Sequence, residues 1–296
     1  MKKFLISLLI LIPFVFIFYF WPKIEEIFIL EIPKIQNLPE KIEERPKVPE
    51  VFQKEREKFF PPPLKVIREE KSEAILTKEG IIEWTNKQRE KYGLVPLKEN
   101  QLLDKSALAK VEDMFENQYF SHYSPSGEGV SDLAKKFGYD FLLIGENLAM
   151  GNFSSDEDLV LAWMESPGHR ENILNEKYQE IGVAVKKGTF EGKEVWIAVQ
   201  HFGLPSSFCK KPDLSLKEKI EENQKRILEL QKELLILRSE IRTLKRWQKE
   251  EISQKIDRYN ELVLKYNNLI EETKNLIDQY NFQVNSFNQC LSQVLR

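Results

Sequence analysis

The stretch Ser166–Leu174, SPGHRENIL, places a histidine on a proline–glycine turn just where a new helical pattern begins. Pro167 disfavours helical geometry at Ser166 and Gly168 permits a tight turn, so the preceding helix should end here and another should start near His169. The chain has only 3 histidines. A histidine on such a turn is held by backbone on both sides and points away from the core, which makes His169 a candidate functional residue.

The overall composition bounds the architecture. The chain has 296 residues, of which 42% are hydrophobic and 31% are charged, with a formal net charge of −3. These values predict one domain of ordinary size together with extended parts. A slightly negative chain lacks the positive electrostatic potential that would attract a phosphate backbone, which argues against a nucleic-acid partner.

The N-terminus carries the pattern of a membrane anchor. Two lysines precede an almost unbroken apolar run from Phe4 to Trp21, which as a helix would cover roughly 27 Å, close to the thickness of the hydrocarbon core. The lysines keep the N-terminus in the cytoplasm, so residues 1–21 predict a single-pass cell-membrane protein with its main domains outside the cytoplasm. The bulky aromatic end favours an uncleaved anchor; a cleaved signal peptide is the alternative, and both export the rest.

The next segment, residues 22–72, is rich in proline, glutamate and lysine and contains Pro61-Pro62-Pro63. Too few large apolar residues recur with any period to order it. We therefore predict a stalk of polyproline character that acts as a tether.

A folded α+β domain is predicted over residues 73–208. Apolar residues at helical spacing indicate two helices, one ending near Tyr92 and one over 102–115, and a third amphipathic stretch leads into SPGHRENIL. Two strand patterns follow, over Ile181–Val185 and Val195–Phe202. The order is helices first, and then a helix that leads into a β-hairpin.

Several motifs in this domain occur in a recognisable order. Asn86-x-x-Arg89 and GLVPL (93–97) are followed by HYSPSG (122–127), GENLA (145–149), SPGHRENIL and IGVAV (181–185). Over roughly Thr77–Leu204 this order resembles the CAP superfamily, or SCP domains, in its bacterial form. The resemblance implies an α-β-α sandwich with a cleft on one face.

The resemblance also implies which residues line the cleft. In the family they are a histidine of the first motif, the glutamate of GEN and a histidine of the third motif, which correspond here to His122, Glu146 and His169. Eukaryotic members add a second glutamate three residues after the motif's tryptophan, where this chain has Ser166. Glu165 is one residue away and would point about 100° from that face. This departure argues against a mechanism that needs four such residues.

The chemistry of these residues leaves several roles open. Two imidazoles and a carboxylate suit Zn²⁺ or another divalent metal, so His122, Glu146 and His169 are also a candidate metal site. A histidine oriented by a glutamate could instead be a general base, or the group could be structural. We interpret His201 as a core or edge histidine. Ser124 and Ser166 lack the Gly-x-Ser-x-Gly context of an acyl-transfer nucleophile.

The C-terminal part, residues 209–296, predicts a coiled coil. Apolar residues step by four and three from Leu216 to Leu244 and again from Ile252 to Phe287. The two seams are out of phase across the mostly charged stretch 245–251. A turn there would give an antiparallel hairpin; a continuous helix is the alternative.

The two cysteines help to separate these alternatives. Cys209 and Cys290 lie about equally far from the phase break near Gln248, so an antiparallel hairpin brings them together. Outside the cytoplasm a disulfide between them can persist. A continuous helix would hold the two thiols too far apart to pair within one chain.

Three classes of function are compatible with these patterns. The first is a surface domain that binds a small or lipidic ligand, or a metal, in the cleft without catalysis. The second is a metal-dependent hydrolase that acts on cell-envelope material, and the third is an adhesion protein whose coiled coil recruits a protein partner. Because no nucleophile stands out in the sequence, we carry the binding function forward as the expectation.

Overall fold

The computed structural model describes residues 60–66 and 74–294, which divide into two units. One unit contains 60–66, 74–211 and 287–294, and the other contains 212–286. The predicted anchor, residues 1–21, and most of the predicted stalk lie outside the described residues. Within the described ranges, no helix combines the length and the apolar character needed to span a bilayer.

The first unit is built on a mixed five-stranded sheet with the order β1-β3-β5-β4-β2. β3 and β4 both pair antiparallel with β5, whereas the short strands β1 and β2 pair parallel with β3 and β4 at the two edges. β4 and β5 are the predicted hairpin; β3 carries the GENLA motif and was not predicted as a strand. The strands are β1 (Leu64–Val66), β2 (Lys98–Glu99), β3 (Phe141–Gly151), β4 (Glu180–Phe190) and β5 (Lys193–Pro205).

The helices of this unit begin and end where local signals place them. Thr77, Asn100 and Ser155 each accept a hydrogen bond from a backbone N–H in the first turn of the helix that follows. One helix ends before Ser166 and the next begins at Pro167, as the SPG sequence predicts. The helices are α1 (Lys78–Lys91), α2 (Gln101–Glu116), α3 (Val130–Lys136), α4 (Asp156–Glu165) and α5 (Pro167–Ile173).

Helices cover both faces of the sheet. Successive strand residues point to opposite faces, so Ala149 belongs to the apolar cluster that contains Trp163 of α4, whereas Leu148 packs with the α2 residues Val111 and Met114. The three layers are the predicted α-β-α sandwich.

The stalk prediction was wrong for residues 60–66. Leu64–Val66 form strand β1 and pair with Ala149–Gly151 of β3. Leu64 and Val66 are partly buried against the main apolar cluster of the sheet, which supplies the stabilisation that the composition of the segment alone did not predict.

The second unit is a helical hairpin formed by α6 (Leu214–Thr243) and residues 249–286 of α7 (Lys249–Val294). The helices pair antiparallel, because Lys255 bonds Glu240 at 2.7 Å while Arg258, further from the turn, bonds Glu233 at 3.3 Å. The turn lies between Thr243 and Lys249, in the predicted charged stretch, so the continuous-helix alternative was wrong. The buried residues follow the predicted seams and include Ile220, Ile227, Leu234, Tyr259, Tyr266 and Ile277.

The predicted disulfide is present and lies within the first unit. Cys209 and Cys290 are bonded, and Cys209 is buried with Leu204, Leu291 and Val294. The last part of α7, residues 287–294, therefore packs with the sandwich domain. The predicted boundary of the coiled coil, 209–296, does not coincide with the two units.

Candidate functional site

A fully buried carboxylate, Glu146 of β3, is the centre of the site. The β3–β5 register places it opposite His201, whose Nε2 lies 2.9 Å from Glu146 Oε2. The other oxygen, Oε1, lies 2.6 Å from Nδ1 of His122 in the loop after α2. Both carboxylate oxygens are therefore occupied by imidazoles.

Helix α2 holds both histidines in place. Ser106 Oγ lies 2.9 Å from Nδ1 of His201, and Lys110 Nζ donates to the backbone carbonyl of His122 at 2.8 Å. Ser106 and Lys110 lie one helical turn apart, which places both on the face of α2 that packs on the sheet. The ring of His201 is thus held between Ser106 and Glu146, whereas α2 holds His122 through its backbone carbonyl.

The hydrogen bonds from the two histidines determine the charge of Glu146. Burial alone would raise the pKa of Glu146, but the hydrogen bonds to His122 and His201 outweigh it and lower the pKa to about 2. His122 faces the ionised carboxylate through Nδ1 and the carbonyl oxygen of Pro61 through Nε2, at 2.6 Å. A carboxylate and a backbone carbonyl can only accept hydrogen bonds, so each ring nitrogen of His122 faces an acceptor.

His169, the histidine of SPGHRENIL, lies in the first turns of α5 and is 1% exposed. Its Nδ1 is 2.7 Å from Ser166 Oγ, while its Nε2 is buried without a hydrogen-bond partner among the described residues. Burial, and then the positive charge of His122, lower the pKa of His169 to about 4. The ring is therefore neutral at neutral pH.

A network of amides fixes α5 to β3. Asn147 Nδ2 donates to the carbonyl of His169 at 3.1 Å and to Gln200 Oε1 at 3.1 Å. Asn172 Nδ2 donates to Asn147 Oδ1 at 2.9 Å and to the carbonyl of Glu146 at 3.2 Å. The asparagines of GEN and of SPGHRENIL thus position the residues that resemblance assigns to the cleft.

The predicted trio comes together only in part. His122 and Glu146 are in direct contact, but the second imidazole on Glu146 belongs to His201 rather than to His169. His201 is buried, as its interpretation as a core histidine implies, yet it also fixes Glu146. Glu146 lies opposite His201 on the neighbouring strand, and Asn147 lies opposite Gln200. These pairs can be recognised in the sequence only once the register of β3 against β5 is known.

The predicted metal site can be compared with this geometry. In residues 60–66 and 74–294, no three His, Cys, Asp or Glu side chains are arranged so that they could hold a metal ion. Both oxygens of Glu146 already bond histidines, and Nε2 of His122 faces a carbonyl. The three residues do not fit a shared divalent metal in this arrangement, and zinc stays a prediction of the sequence.

Comparison with known proteins agrees with the resemblance that the motifs indicate. Residues 82–202 match the family model of the cysteine-rich secretory protein family, CAP. We call the sandwich unit that contains this match the CAP domain. Two curated relatives come from Bacillus subtilis strain 168. The uncharacterized protein YkwD is 43% identical over 116 residues, which cover 39% of this chain and 43% of YkwD. The uncharacterized membrane protein YlbC is 36% identical over 125 residues, which cover 42% of this chain and 36% of YlbC. The match thus spans less than half the length of either relative.

Two solved structures are similar to the CAP domain. An extracellular protein containing an SCP domain from Bacillus anthracis is 31% identical, with 43% of this chain and 40% of that chain covered and a TM-score of 0.38. An outer surface protein from Borrelia burgdorferi is 27% identical, with 45% of this chain and 97% of that chain covered and a TM-score of 0.39.

Proposed function

We propose that the CAP domain is a binding module that holds a ligand beside His122 and His169 without catalysing a reaction. The observation that carries this proposal is Nε2 of His169, a buried polar atom without a partner among the described residues. Such an atom costs on the order of 1–3 kcal/mol when it is left unpaired. A ligand that forms a hydrogen bond with it recovers this free energy on binding.

The protonation states support binding rather than acid–base catalysis. A general acid or base works best when its pKa lies near the operating pH. The pKa of Glu146 is lowered to about 2 and that of His169 to about 4, so both pKa values lie well below neutral pH. Glu146 therefore serves to orient the two histidines that it bonds.

The ligand chemistry follows from His122. Its Nε2 donates a hydrogen bond to an oxygen atom, here the carbonyl of Pro61. A ligand that presents a carbonyl or carboxylate oxygen fits this donor. A fatty acid and a small carboxylate both supply that oxygen, which connects the site with the lipidic and small-molecule classes expected from the sequence.

The test follows the histidine rings of the full chain by long-range ¹H–¹⁵N NMR during titration with sodium palmitate, sodium acetate or zinc chloride. We expect the His169 Nε2 signal to shift with palmitate, and a shift with acetate as well would assign binding to the carboxylate itself. Glu171→Ala, an exposed change on α5, is the matched control and should leave the shifts unaltered. A response to zinc alone would replace this proposal by a metal site, and no response to any probe would overturn it.

We also propose that the domain lies outside the cell and is anchored by residues 1–21. The apolar run after two lysines and the disulfide support an exported protein, and the relative YlbC is named as a membrane protein. Protease added to intact cells should cleave the chain. Full protection of the CAP domain in intact cells, but not in lysed cells, would contradict this location.

A further inference from the structure

Residues 60–66 lie in the cleft that the motifs define. The carbonyl oxygen of Pro61 faces Nε2 of His122 at 2.6 Å, and the ring of Phe60 lies 5.2 Å from the ring of His122 and 6.3 Å from that of Tyr123. Five residues after Pro61, Val66 is still paired with β3. The segment thus fills the polar end of the cleft and extends the sheet with one added strand.

Two glycines in the wall of the cleft, Gly168 and Gly151, leave room for residues 60–66. A Cβ atom on Gly168, next to His169, would lie 2.6 Å from the Cβ of Pro61. A Cβ atom on Gly151 would overlap the carbonyl oxygen of Val66. The wall is therefore shaped to the backbone and the proline of a bound chain at both ends of the segment.

The side chains of the segment alternate as in a bound strand. Leu64 and Val66 pack against the main apolar cluster, whereas Lys65 between them is exposed. Phe60 packs in a separate cluster with Val130 and Tyr139. The segment therefore has an aromatic anchor before the proline and two aliphatic anchors after it.

We propose that the cleft and the adjoining edge of β3 form a groove for an extended peptide, and that residues 60–66 occupy this groove in the same chain. The preferred peptide has an aromatic residue followed by proline, with aliphatic residues three and five positions after the proline. Strand addition to a sheet edge with pockets for alternate side chains is a recurring mode of peptide recognition. The inference rests on the proposed binding function and deepens it, because the peptide carbonyl is the oxygen that His122 binds.

The occupied groove has a measurable consequence. The apparent affinity for an added ligand falls in proportion to the fraction of molecules in which the groove is free. The wild-type chain should therefore bind an added peptide weakly, and a chain whose own segment has been released should bind it more tightly.

The experiment uses the full chain and a fluorescein-labelled peptide with the sequence of residues 58–68, KFFPPPLKVIR, followed by fluorescence anisotropy. The double variant Leu64→Asp, Val66→Asp buries carboxylates in the core and should release the segment. Lys65→Asp places the same residue at the exposed position of the same strand and is the matched control. We expect the double variant to bind the peptide at least about tenfold more tightly than wild type or Lys65→Asp.

A third substitution tests the location of binding. Gly168→Ala, added to the double variant, should abolish peptide binding because its methyl group takes the place of the proline ring. On its own, Gly168→Ala should speed amide hydrogen exchange in residues 64–66, which tests the segment in a chain with an unchanged β1 sequence. Alanine is well tolerated in a helix, so α5 should remain intact.

Several outcomes would overturn the inference. Equally weak peptide binding by the double variant, wild type and Lys65→Asp, together with unchanged exchange in Gly168→Ala, would show that the segment does not compete for the groove. A wild-type dimer that the double variant abolishes would assign the segment to a second copy of the chain. If the His169 signal responds to palmitate or acetate while the peptide does not bind the double variant, the peptide inference fails and the proposed function stands; if neither titration shows binding, both fail.

Discussion

The CAP domain and the helical hairpin bury different kinds of side chains. The centre of the CAP domain buries a carboxylate with His122 and His201, and each member depends on a partner far along the chain. The hairpin buries mainly aliphatic and tyrosine side chains, such as Leu234 against Tyr259 and Tyr266. A buried charge needs directed partners, whereas apolar burial depends mainly on area and fit.

The two kinds of burial predict where each unit should be sensitive to substitution. In the polar cluster the loss of one member leaves the others unpaired, so the damage extends beyond the substituted residue. In the hairpin the loss of one apolar side chain leaves a local cavity whose cost depends on how far its neighbours relax. Substitutions in the two units should therefore differ in size and in dependence on pH.

The largest effect is expected for Glu146→Gln. Glutamine retains the shape but removes the negative charge that His122 and His201 face, and its amide group can accept from only one of the two histidines. Breaking a buried ionic pair typically costs about 3–5 kcal/mol of unfolding free energy. Urea denaturation followed by circular dichroism measures the change. Glu165→Gln, an exposed acid at the end of α4, should change stability by less than about 0.5 kcal/mol. Equal effects of the two substitutions would contradict a cluster centred on Glu146.

A somewhat smaller effect is expected in the hairpin. Leu234 is 0% exposed and its neighbour Leu235 is 53% exposed. Leu234→Ala should cost about 2–4 kcal/mol, because it leaves a cavity between α6 and α7, whereas Leu235→Ala should cost about 0.5 kcal/mol or less. Thermal unfolding of both variants measures the contrast. If the two alanine variants melt at the same temperature, the assigned seam is incorrect.

The smallest effect is a dependence on pH that separates His169 from Glu146. The pKa of His169 falls from 6.5 to about 4 on folding, so the unfolded chain takes up this proton first, and the corresponding stability is lost as the pH drops from 6.5 towards 4. The pKa of Glu146 falls from 4.5 to about 2, so its contribution is lost only below pH 4.5. Between pH 6.5 and pH 4.5, wild type should lose about 2 kcal/mol of unfolding free energy through His169, and His169→Gln should not show this loss. Below pH 4.5, the two proteins should lose stability to the same extent.

Denaturant midpoints measured at intervals between pH 7 and pH 3 for wild type and His169→Gln provide the measurement. Arg170→Gln, the exposed neighbour on α5, is the control and should keep the full wild-type slope. Identical slopes for wild type and His169→Gln above pH 4.5 would mean that burial does not hold His169 neutral.

The parts that the sequence predicts well are those in which the signal is local or periodic. The break between α4 and α5 follows from Pro167 and Gly168, and the hairpin follows from apolar seams that lose phase across 245–251. The disulfide follows from the same symmetry, because Cys209 and Cys290 lie about equally far from the turn. None of these inferences needs the register of a distant strand.

The parts that the sequence did not predict depend on long-range register. Glu146 meets His201 because β3 and β5 pair antiparallel in one register, and no spacing within either strand specifies it. Residues 60–66 have the composition of a tether, yet they are ordered by apolar contacts and a sheet edge supplied by the CAP domain. Composition describes what a segment can bury by itself, whereas here the burial depends on a surface formed elsewhere in the chain.

The bond between Cys209 and Cys290 also changes how the polypeptide carries mechanical load. Tension applied along the chain on either side of the two cysteines passes through the sulfur–sulfur bond and bypasses residues 210–289. The hairpin thus belongs to a covalently closed loop that a pulling force does not stretch. A single proteolytic cut in its turn releases no fragment. Reduction of this bond would put the hairpin into the load path and convert the same cut into a complete separation of the chain.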